Sequence, residues 1–188
     1  MDVIEAIRSR YTADAFGDQV PPRELIEQLI DCAVWAPNHF MTEPWSFHVI
    51  AGAARTEMGE ALVEWLKSDG YPETPDEQDL QRASGTAMRS PVMIVVGQTA
   101  DPEGGAVRDL EDYAACCCAV QNLMLAAHAE GLVTKWGTGR SVRYQGLKDY
   151  LGLAEADRIV GFVLLGYPAE DAPSDRERAP VKIDWRGI

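Results

Sequence analysis

Hydrophobic positions along the chain fall into two kinds of pattern. Residues 2–10 carry Val3, Ile4 and Ile7 on one stripe, which predicts a short helix. Pro21-Pro22 then stands before a second helical run, with Glu24 in its first turn and Leu25, Leu29, Cys32 and Ala33 on one face. That run stops at Ala36-Pro37, because the residue before a proline is pushed out of the helical region. Residues 38–44 read as a loop and Ser46–Ile50 as a strand. Residues 53–67 read as a helix, with Met58, Leu62 and Leu66 at spacing four. Ser68–Asp79 is rich in Pro, Asp and Glu and predicts a mobile surface excursion, a candidate lid.

The second half is more apolar. Pro91 opens a buried strand, VMIVVG, and residues 101–105 (DPEGG) form a turn. Leu110 to Glu130 is the most apolar helical stretch, closed by Gly131; apolar residues on nearly every face predict a buried central helix. Leu132–Trp136 predicts a short strand before Gly137-Thr138-Gly139, residues 143–151 a helix, and Ile159–Gly166 a second fully apolar strand. Near the end, Val181, Ile183 and Trp185 alternate with polar residues, the pattern of a half-buried strand. A lone terminal strand needs a sheet edge, and an arm laid onto a second subunit supplies one. Strands separated by helices and variable loops predict an α+β layered domain.

Composition narrows the function classes. At 188 residues, 46% hydrophobic and 25% charged, residues 1–188 suit one domain with a sizeable core. The net charge of −13 disfavours nucleic acid and anionic membrane as partners. Any anionic ligand would need a local group of arginines or lysines. The opening MDVIEAIRSR has no apolar core of a signal peptide, and Ala114–Ala127 is too short to span a bilayer, so a cytoplasmic location is expected. Cys116, Cys117 and Cys118 are consecutive and cannot converge on one metal from a helix. With Cys32 they read as small core residues.

Four segments have the chemistry to hold a ligand. Arg8-Ser9-Arg10-Tyr11-Thr12 offers charge-assisted donors to a phosphate; the plainer reading is arginines favouring a helix C-terminus. Ala36-Pro37-Asn38-His39-Phe40-Met41-Thr42-Glu43-Pro44-Trp45, a loop between a helix and a strand, is a binding loop or a surface or structural segment. Thr134-Lys135-Trp136-Gly137-Thr138-Gly139-Arg140 carries two glycines that let backbone approach a ligand closely, or make a tight turn. Arg176-Glu177-Arg178-Ala179-Pro180 is an anion clamp or a charged tail. No histidine has metal-ligand spacing, and no nucleophile–base order is evident.

Together these segments resemble the nitroreductase family of flavoproteins over essentially the whole chain. The family opens with Arg-x-Ser-x-(Lys/Arg)-x-Phe, here Arg10-Tyr11-Thr12-Ala13-Asp14-Ala15-Phe16. It continues with Ala-Pro-Ser and Gln-Pro-Trp, here Ala36-Pro37-Asn38 and Glu43-Pro44-Trp45, and ends with a basic-x-Arg-x-Pro pattern, here Arg176 to Pro180. The resemblance implies an α/β/α sandwich with a mainly antiparallel sheet, a homodimer with exchanged C-terminal segments, and FMN in clefts at the interface. It implies that Arg10, Arg176 and Arg178 bind the FMN phosphate and that Tyr11 and Thr12 contact its phosphate, ribityl or pyrimidine parts. Asn38, His39 and Met41 would lie along the cofactor from the other subunit, and Trp136, Gly137 and Thr138 would pass its dimethylbenzene-to-N5 side. It implies NAD(P)H as hydride donor and a small electron-poor acceptor, with no side chain required as acid or base. Relatives of this fold also carry out reductive dehalogenation and dehydrogenation, and a non-enzymatic flavin-binding dimer is a further alternative. Asp14 and Glu43 stand where the family has a basic residue and a Gln. A carboxylate at 14 cannot stabilise the negative N1–O2 edge of reduced flavin.

Overall fold

The computed structural model describes residues 1–68, 74–170 and 177–187. Four strands form its centre: β1 (Trp45–Ala51), β2 (Val92–Gln98), β3 (Val133–Gly137) and β4 (Arg158–Gly166). They pair in the order β1-β2-β4-β3, and every neighbouring pair is antiparallel. The helices are α1 (Val3–Ser9), α2 (Arg23–Ala33), α3 (Ala54–Ser68), α4 (Glu77–Gly85), α5 (Gly105–Ala129) and α6 (Gln145–Leu151).

The continuous apolar runs of β2 and β4 arise because helices cover both faces of the sheet. Successive strand residues point to opposite sides. Val92, Ile94 and Val96 therefore join Leu29 of α2 and Val120 and Leu123 of α5 in one core. Met93 and Val95 join Met58 and Leu62 of α3, Ala83 of α4 and Leu147 of α6 in the other. A bulge where Val96/Gly97 meets Gly161 and Ile159 resets the alternation, so Val163 and Leu165 face the first core and Phe162 and Leu164 the second. Gly161 is required there: a Cβ would stand 2.3 Å from Trp136 Nε1.

Several expectations need correction. The segment 68–79 lies partly outside the described residues, but from Asp76 it is ordered: Asp76 accepts from the Asp79 backbone N–H at 2.8 Å and caps α4. α5 begins at Gly105, a turn earlier than the apolar pattern indicated, and ends as expected at Gly131 in the left-handed region. It is not buried all round, since Val107, Leu110, Ala114 and Cys118 form an exposed stripe. Among the described residues the tail forms no strand on its own chain. Residues 177–187 have no regular structure, and Val181, Ile183 and Trp185 are 78%, 60% and 68% exposed, because neither sheet edge of the same chain receives them. The cysteines are free thiols, and only Cys116 is fully buried; burial pushes its thiol up to about 12. Among the described residues no helix is long and apolar enough to cross a membrane, and no cluster could hold a metal ion.

Candidate active site

Arg10 caps the end of α1, where its backbone N–H returns to the Ala6 carbonyl. The chain then crosses the outer edge of β3. Thr12 bridges Thr134 in parallel, and the Ala13 N–H donates to the Thr134 carbonyl at 3.1 Å. Further on, Phe16 bridges Pro168, and the Gly17 N–H donates to the Tyr167 carbonyl at 2.9 Å. Segments more than 120 residues apart, 10–14 and 134–138, are thereby fixed side by side. Ser9 and Tyr11 are pinned from the other direction: Ser9 Oγ lies 2.7 Å from His128 Nε2, and the Tyr11 ring meets the His128 ring edge-on.

Beside this edge, on the face covered by α3, α4 and α6, lies a cleft of about 240 Å³ lined by Arg89, Lys135, Gly137, Gly139, Phe162 and Leu164, together with Thr86 and Ser141. Gly137 and Gly139 face open space, where an added Cβ would meet nothing within 4 Å, so their small size leaves room and serves no packing need. Lys135 donates to Asp14. That contact, with Arg89 also near, holds the Asp14 carboxyl below its usual range. Lys135 of β3 thus places a cation beside position 14. Lys135 stood within the Thr134–Arg140 segment without an assigned role, and Arg89 was missed; the available signal was a lone lysine between buried Thr134 and half-buried Trp136 in a strand. Trp136 alternates with Lys135 and packs on the α2/α5 core, so it does not line the cleft. Its buried Nε1 has no hydrogen-bond partner.

The Asn38–Glu43 loop is built differently. Phe40, Met41 and Glu43 have φ of 64°, 54° and 46°, left-handed conformations that non-glycine residues seldom adopt and that cost about 1–3 kcal/mol each. Asn38 holds the loop in shape: its Oδ1 accepts from the Glu43 N–H at 2.7 Å and its Nδ2 donates to Thr42 Oγ1 at 3.0 Å. Thr42 donates in turn to the buried Asp112 at 2.6 Å, while His39 stacks on Phe40 and meets Glu111 at 2.9 Å. Asn38 therefore spends its side chain on the loop, and Met41 projects into solvent. Asn38→Ala should release about 1–2 kcal/mol of local restraint. Hydrogen exchange at residues 40–43 would then speed up roughly 5- to 30-fold; unchanged exchange would remove Asn38 from this role.

The two halves do not meet within one chain. The loop packs on α5 at Glu111 and Asp112, and the Arg10 segment at His128; the 16 positions from 112 to 128 separate them by roughly 24 Å along the helix. They also lie toward opposite sheet edges, since the loop leads into β1. Arg178 is exposed on the tail, and Arg176 lies outside the described residues.

A two-faced antiparallel sandwich with a basic, glycine-walled cleft at its outer strand defines a ligand-binding α+β class. The sequence profile described as the Nitroreductase family matches residues 7–167, and this chain belongs to that family. It is 30% identical over 181 residues to YfhC of Bacillus subtilis (strain 168), a protein whose name assigns it provisionally to the NAD(P)H nitroreductases; the match covers 95% of this chain and 90% of the relative. Among solved structures, it is similar to a nitroreductase-like family protein from Bacillus cereus, at 28% identity and a TM-score of 0.83, covering 98% and 96% of the two chains. A mutant of NfnB, an FMN- and NADPH-dependent nitroreductase, shares the fold at 18% identity with a TM-score of 0.76, covering 100% of both chains.

Proposed function

We propose that this protein, a single domain over residues 1–188, is a homodimeric, FMN-dependent oxidoreductase that uses NAD(P)H to reduce a small electron-poor acceptor. The observation that carries this reading is the joining of Arg10–Asp14 to Thr134–Thr138 beside the cleft of Lys135, Arg89, Gly137 and Gly139. In a chain of net charge −13, that local concentration of cations favours an anionic ligand. The donor set fits FMN. Arg10, with Arg176 and Arg178 of the tail, would hold the phosphate; Tyr11 and Thr12 would contact its near end. Gly137, Thr138 and the Trp136 backbone would border the ring.

The 24 Å gap within one chain supports a dimer. Asn38, His39 and Met41 of one subunit would approach the cofactor held by the other. Exposed apolar residues on α1 (Val3, Ile4, Ile7), on α5 and in the tail supply surface for such an interface. Bound FMN would take a hydride from NAD(P)H and pass electrons to a nitroaromatic, quinone or similar acceptor in a ping-pong cycle. The chain's own task is to bind, orient and tune.

Lys135 does the tuning. A cation near the flavin ring favours the reduced, negative form. Lys135→Met should lower the bound flavin's midpoint potential by about 30 mV, equivalent to about 1.4 kcal/mol for two electrons, and Asp14→Asn should raise it. Equal potentials in all three proteins would place Lys135 away from the ring. The overall reading is tested by the visible spectrum of purified protein before and after anaerobic NADH or NADPH. The expected result is a yellow protein that bleaches; a flavin that neither nucleotide reduces would rule out the oxidoreductase.

A further inference from the structure

The sheet-edge cleft continues past Lys135. Thr86 and Ser141 line both it and a second chamber of about 270 Å³, bounded by α3, α4 and the turn at 140–143. Leu66, Ala83 and Tyr144 form part of the wall, and Arg82 and Asp79 of α4 add its charged groups. Asp79 reaches the Arg82 guanidinium at 3.8 Å, the long limit of an ion pair, and the Arg82 side chain remains 67% exposed. Such a pair is weak and open to competition by an incoming anion. Arg82 thus lines a chamber that shares Thr86 and Ser141 with the cleft of Arg89 and Lys135, in a protein of net charge −13.

A cleft walled by Phe162 and Leu164, adjoining a polar chamber that carries a guanidinium, suits a flat apolar body that carries an anion. We propose that this chamber receives the anionic substituent of the electron acceptor, and that the protein's preferred acceptors are carboxylate-bearing aromatics held by Arg82. This inference rests on the flavin reading above. The reducible ring lies beside Lys135 and Gly137, and its carboxylate reaches Arg82 past the Thr86 and Ser141 hydroxyls. Arg82 acts as a specificity residue; the fork of a guanidinium matches a carboxylate with two parallel hydrogen bonds.

The test compares 4-nitrobenzoate with nitrobenzene as acceptors for the purified holoprotein, Arg82→Gln and Arg82→Glu. The wild type should prefer the carboxylate. The ratio of the two kcat/KM values should fall about five- to tenfold in Arg82→Gln, the range between an exposed ion pair and a charged hydrogen bond, and further in Arg82→Glu. Calorimetric titration of the oxidised protein with 4-nitrobenzoate, which needs no turnover, should show a matching loss of affinity in both variants. An unchanged ratio and unchanged affinity would overturn the proposal. So would a loss of FMN in both variants, which would give the chamber to the cofactor, or an altered KM for NADPH without a change in ratio, which would give it to the nucleotide. A wild type without flavin would instead defeat the oxidoreductase reading, while the titration would still decide whether Arg82 binds a carboxylate.

Discussion

Arg10→Ala is expected to weaken FMN binding by about 10- to 150-fold, or roughly 1.5–3 kcal/mol, the scale of a hydrogen bond to a charged group. Arg10 stands at the C-cap of α1, two residues before the Thr12–Thr134 bridge that locks the segment onto β3. The backbone there is fixed by the Ala13 N–H to Thr134 bond and by the Ser9–His128 contact, neither of which uses the Arg10 side chain. The substitution should therefore leave the junction of α1 with β3 in place while flavin is lost. Fluorescence titration of apoprotein with FMN measures the affinity. Arg23→Ala is the control, because Arg23 lies on the exposed face of α2 paired with Glu27. Equal FMN affinity in Arg10→Ala and Arg23→Ala would show that another group holds the phosphate.

Leu110→Asp is expected to split the proposed dimer. Leu110 is 67% exposed in the single chain and lies on the same α5 stripe as Val107, Ala114 and Cys118. Burying one such side chain is worth about 1.5–3 kcal/mol. In a two-fold interface each substitution counts twice, so the dimer should weaken by roughly 3–6 kcal/mol, or on the order of 10²- to 10⁴-fold in dissociation. The monomer should keep its fold, since Leu110 supports no core within its own chain. It should also release FMN, because the Asn38–Met41 half of the site would no longer be contributed. Sedimentation velocity with an absorbance ratio reads both effects together. A Leu110→Asp protein that stays dimeric would place the interface elsewhere.

The two central strands were readable because β2 and β4 are continuous apolar runs bounded by turns, and their burial on both faces follows from the lack of alternation. α4 was not readable, because the acids at 76–79 that make its first turn look like loop composition until Asp76 is seen to cap it. The alternation of Val181, Ile183 and Trp185 predicted a half-buried strand, and the three are instead exposed without regular structure, because alternation does not say whether a sheet edge is available on the same chain. In the site, the motif around Arg10 and the glycines after Trp136 were visible as separate segments. Their union depends on a parallel bridge between Thr12 and Thr134, and no local pattern encodes that pairing. The Lys135–Asp14 pair is hidden for the same reason, since 121 residues separate its members. The strained Phe40–Glu43 loop gave no warning either, because its left-handed residues are neither glycine nor asparagine.

The central claim concerns a cofactor held where two chains meet. Its most direct test is size-exclusion chromatography with light scattering and absorbance detection on protein reconstituted with excess FMN. The account predicts one yellow species with the mass of two chains and one FMN per chain. A colourless species with the mass of one chain would contradict it.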